Sequence, residues 1–152
     1  QCGGGWRRAR LNRSRENPIA RAVAKQRMGA LLRDIAIKAH LTADGAVDRD
    51  LLANFVFVVG LGAEVSMQLP DVERTKRLHA ALRTLLAMSV DGGRWQAGQT
   101  SRMYALAKEA QTLAIDHVGL GMGVSHGASV LSQRVKDGVA TMADVAGVEI
   151  YA

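Results

Sequence analysis

The chain has 152 residues, 48% of them hydrophobic and 22% charged, which fits one folded domain with one core and excludes wholesale disorder. Aromatics make up only 4% and prolines number two, too little β-forming material for a sandwich, so the expected class is all-α: a soluble, compact bundle of about four main helices plus a short C-terminal helix, behind a flexible basic arm. The net charge of +6 is unevenly spread: residues 1–40 carry ten Lys or Arg against Glu16 and Asp34, a balance of +8, and residues 41–152 carry ten against twelve acids, a balance of −2.

The first five residues, Gln1-Cys2-Gly3-Gly4-Gly5, read as a leader or a non-native scar and are set aside from the fold reasoning. Arg7, Arg8, Arg10, Arg13 and Arg15 then crowd a stretch with no apolar period, so residues 1–17 are expected to form a solvated, flexible arm. That stretch lacks the apolar run of a signal peptide, and the single cysteine, Cys2, offers neither an internal disulfide nor a zinc cluster. A reducing cytoplasm is the compartment these features suggest.

Asn17-Pro18 predicts a helix start, because Asn accepts a bond from an orphan N–H and Pro has its φ preset for the first turn. The helix is expected over 18–41, with Met28, Leu31, Leu32, Ile35 and Ala39 as its apolar stripe and Arg21 and Lys25 extending the basic arm. Thr42-Ala43-Asp44-Gly45 supplies a turn, and Asp48 caps a second helix that ends at Leu69 before Pro70. This helix, 51–69, is apolar on nearly every side. Asn54, Glu64 and Gln68 interrupt it, which favours a central core helix over a membrane span, with Gly60 and Gly62 letting a neighbouring backbone approach. Its surplus of apolar surface suggests a homodimer.

Asp71 is expected to cap a third helix, with Leu78, Leu82, Leu85 and Met88 inward, ending at Asp91-Gly92-Gly93. Trp95 falls in the connection. Thr100 or Ser101 begins a fourth helix, with Met103, Leu106, Ala110, Leu113 and His117 on one face. Four glycines in the nine residues Gly119 to Gly127 predict a break there, since each costs about 1 kcal/mol in a helix relative to Ala. A short helix over 128–137 follows, stopped by Gly138. Residues 139–152, with Val145, Val148, Ile150 and Tyr151, form an apolar tail that extends, docks or frays.

Clustered guanidiniums bind polyanions largely by releasing condensed counterions, without a folded site. Nucleic acid is therefore the leading partner, with Arg7, Arg8, Arg10, Arg13, Arg15, Arg21 and Lys25 on phosphates. The alternative is a helical protein–protein interaction module that uses its arm or apolar tail, with an acidic protein surface as partner. The stretch Leu32-Arg33-Asp34-Ile35-Ala36-Ile37-Lys38-Ala39-His40-Leu41-Thr42 resembles the first helix and turn of the DNA-binding unit of lactose-repressor-type regulators, although His40 stands where a turn glycine is usual and Asp44-Gly45 would fall in the recognition helix. The same residues also read as a core helix ending at a Thr-Ala-Asp-Gly turn.

Arg8-Ala9-Arg10-Leu11 through Asn17-Pro18-Ile19-Ala20, with Leu78-His79-Ala80-Ala81-Leu82, resemble small helical proteobacterial proteins identified as Fis-type transcriptional regulators. That resemblance implies DNA binding in a bacterial cytoplasm, though no Fis-type recognition helix is legible at the C-terminal end. The glycine stretch lacks the Lys-Ser/Thr of a P-loop and the spacing of a dinucleotide fingerprint, and reads better as a hinge or close-packing turn. His79, His117 and His126 make no paired-ligand spacing, and Ser101, Ser125 and Ser129 have no nucleophile context, so no catalysis, metal or cofactor is expected.

Overall fold

A computed structural model describes residues 18–42 and 45–148, which form six α-helices: α1 (Pro18–Thr42), α2 (Arg49–Met67), α3 (Val72–Asp91), α4 (Gln99–Asp116), α5 (Val118–Lys136) and α6 (Met142–Gly147). The helix boundaries follow local chemistry. Asp48 accepts the Leu51 N–H at 2.9 Å and Asp71 accepts the Arg74 N–H at 3.0 Å, each satisfying an orphan donor of a first turn. Gly92 ends α3 in the left-handed region, at φ 62°, where its Cβ-less backbone costs nothing.

α2 is the axis of the bundle. It packs against α5, α3 and α4 and more lightly against α1, and Phe55, Val56, Val58, Val59 and Val65 are fully buried. By length and composition α2 could cross a membrane, but most of it is buried among its own neighbours. Most of the apolar surface of α2 is thus covered within one chain. Asn54, one of the polar interruptions, donates from Nδ2 to Asp34 Oδ2 at 2.9 Å and so ties α2 to α1.

The helix-turn-helix that residues 32–42 resemble does not form, and the core-helix reading of the same residues holds. α1 runs unbroken to Thr42, Gly45 pairs its backbone with Trp95 in an antiparallel bridge, and the next helix, α2, is core rather than an exposed recognition element. Trp95, expected only as part of a connection, is buried with its ring edge-on to Phe55 at 5.7 Å.

The expected break at 119–127 is also absent: α5 is helical from Val118 to Lys136, so the short helix placed at 128–137 is its second half. Local propensity counts against these glycines, and tertiary packing outweighs it. A Cβ at Gly60 would lie 3.3 Å from that of Ala128, and one at Gly127 would collide with Glu64 Oε1. The α2–α5 interface is thus built for backbones at close range. On the other side of α2, a Cβ at Gly62 would lie 2.7 Å from Ala110 Cα of α4.

Part of the apolar tail folds back. α6 packs on α3, with Val145 half-buried and Val148 buried. Thr141 N–H donates to Asp144 Oδ2 at 2.7 Å at its start. Ile150 and Tyr151 lie outside the described residues.

Candidate functional site

Arg7, Arg8, Arg10, Arg13 and Arg15 lie outside the described residues. Arg21 and Lys25 lie one turn apart on α1, whose first turn carries no acidic residue. From Pro18 to Gln26 every described side chain, Lys25 included, is exposed, and Ile19 reaches 76%. Lys25 makes no ion pair among the described residues, so its ammonium group is open to an anion.

Four of the ten cations of residues 41–152 pair with acids of the same body. Arg74 sits 3.5 Å from Asp71 and 3.2 Å from Glu109, Arg77 pairs with Glu109 at 2.6 Å, Lys76 with Glu73 at 4.0 Å, and Arg134 with Asp144 at 3.0 Å. Exposed pairs of this kind contribute little to stability. They do cancel charge locally.

The glycine segment offers no phosphate cradle, because from Val118 onward its backbone is helical rather than a loop. Among the described residues no group of three or more His, Cys, Asp or Glu could hold a metal. His117 Nδ1 lies 3.1 Å from the Leu113 carbonyl oxygen, a local contact at the end of α4.

A second candidate lies inside the body and was not singled out by the sequence as a site. Glu64 of α2 and His79 of α3 border a half-open cavity of about 300 Å3 whose other walls carry Ala128 and Leu131 of α5 and Val148 at the end of α6. Glu64 Oε2 is buried and accepts no hydrogen bond among the described residues. Burial without compensation pushes the Glu64 carboxyl up to about 7, well above its ordinary 4.5. Asp144, at the cavity rim, goes the other way: bonds from Arg134 and from the Thr141 N–H lower it. The available sign of Glu64 was a carboxylate in the middle of a helix that is apolar on nearly every side. Its place against Gly127, 63 residues on, had no local signature.

Compared with known proteins, the chain matches no family model, no curated protein and no solved structure.

Proposed function

We propose that the chain is a nucleic-acid-associated protein, a small regulator or accessory factor of a bacterial cytoplasm, which contacts phosphates through Arg7, Arg8, Arg10, Arg13, Arg15, Arg21 and Lys25. The observation that carries this reading is the charge partition: +8 over residues 1–40 against −2 over the rest. Two features of the body support it. Four of the ten cations of residues 41–152, Arg74, Lys76, Arg77 and Arg134, pair with acids of the same body, and the exposed start of α1 continues the basic stretch with Lys25 unpaired among the described residues. Guanidiniums in such a stretch neutralise phosphates and release their condensed counterions, which gives affinity without base reading.

Deleting residues 1–16 and measuring binding to duplex and single-stranded DNA tests this directly. The intact chain is expected to lose about a thousandfold in affinity between 50 and 200 mM salt if some six phosphates are contacted, and the truncated chain to bind far more weakly with a flatter salt response. Equal binding by the two forms, or none by either, ends the proposal. A weak salt response in the intact chain would favour the protein-interaction reading.

A further inference from the structure

The cavity between α2, α3, α5 and α6 has a function to find that the arm does not supply. Its walls are mostly apolar, with Gly60, Ala63, Met67, Leu82, Leu131 and Val148 contributing, and its size is at the small end of ligand pockets. The ionisable groups on it are Glu64 from α2, His79 from α3 and Asp144 from α6. The nearby cation, Arg134 of α5, donates from Nε and Nη2 to Asp144 at 3.1 and 3.0 Å and from Nη2 to the Val139 carbonyl oxygen at 3.1 Å. Its fork is spent on the rim, and Glu64 has no counter-charge among the described residues. The glycine at 127 gives that carboxylate its room, since a Cβ there would strike Oε1.

A desolvated carboxylate on an apolar wall discriminates ligands by charge. A neutral apolar molecule fills the space and leaves the acid unpaired, an anion is repelled, and an ammonium group supplies both the charge and the hydrogen-bond donors that are missing. We propose that this cavity is a binding site for a small organic cation: a primary amine with a compact hydrocarbon body, its ammonium group on the Glu64 carboxylate and its body against Leu82, Leu131 and Val148. The site is independent of the basic arm and of nucleic acid.

Calorimetric titration of the full chain with benzylamine, and with benzyl alcohol as a neutral probe of nearly the same shape, tests the proposal. A ligand of about eight non-hydrogen atoms is expected to bind with a Kd of about a millimolar or tighter. The alcohol is expected to bind at least about tenfold more weakly, and Glu64→Gln, checked for its fold by circular dichroism, to lose the same factor for the amine. Because Glu64 titrates near 7, amine affinity should rise about tenfold from pH 6 to pH 8, and this rise should vanish in Glu64→Gln. No saturable binding of benzylamine up to about ten times that Kd overturns the proposal, as does an equal affinity for the alcohol. The alcohol comparison needs no variant, so it decides the matter even if Glu64→Gln fails to fold.

Discussion

Of the 25 residues of α1, Met28, Leu32 and Ile35 are buried among those whose side chains are described, whereas thirteen of the 19 residues of α2 are buried. The two helices are neighbours in sequence and meet through the Asn54–Asp34 hydrogen bond, yet one is packed along its whole length and the other, among its described side chains, is buried only at Met28, Leu32 and Ile35. Helices gain most of their stability in proteins from a packed face rather than from propensity. α2 is therefore the element that the fold depends on, and the start of α1 is the element left over for something outside it.

That contrast can be broken most forcefully at Phe55. Phe55→Ala removes a fully buried ring from its edge-on contact with Trp95 and is expected to cost about 4 kcal/mol, read by urea denaturation, whereas Val23→Ala on the exposed start of α1 is expected to cost under about 0.5 kcal/mol. Similar costs at the two sites would show that α1 is packed in solution where here it is not. Gly62→Ala comes next, at about 2 kcal/mol, because the added methyl must displace the backbone of Ala110; a neutral result would mean that α2 and α4 lie farther apart.

Glu64 provides the effect that pH controls. Its pKa is about 7 when folded and 4.5 ordinarily, so the folded state holds the proton more tightly. The stabilising contribution is complete below about pH 4.5, declines as pH rises through the folded value of about 7, and is flat above it. Allowing for the partial exposure of the side chain, the decline amounts to about 2 kcal/mol. The difference in stability between the native chain and Glu64→Gln, measured from pH 5 to pH 8, isolates this group from the histidines; a constant difference would show that Glu64 titrates as an ordinary carboxyl. Asp144 has the opposite sign. Its contribution is present above its ordinary value of 3.8 and is lost as pH falls, outside the window in which Glu64 acts.

What the sequence made legible was local. Asp48, Asp71 and Gly92 act within one helical turn of themselves, and each stands at the boundary where residue chemistry places it. The stripe of Met28, Leu32 and Ile35 and the enclosure of α2 followed from periodicity alone. At Gly127 of α5 the local cost is visible in sequence, and the compensation, room for the Glu64 side chain of α2, is not. The same blindness hid the cavity. Glu64 stood out as an interruption of an apolar helix, but its meaning depended on Gly127, His79 and Val148 arriving from three other helices. The cationic arm is the reverse case, since its charge is plain from composition and needs no fold to be felt.

The backbone bridge between Gly45 and Trp95 joins two loops fifty positions apart, with each residue donating its N–H to the other's carbonyl oxygen at 3.0 Å. Neither the α1–α2 connection nor the α3–α4 connection can then open alone, because releasing one orphans the polar groups of the other and exposes the Trp95 indole. Amide exchange at Gly45 and Trp95 thus belongs with the slow, whole-molecule unfolding.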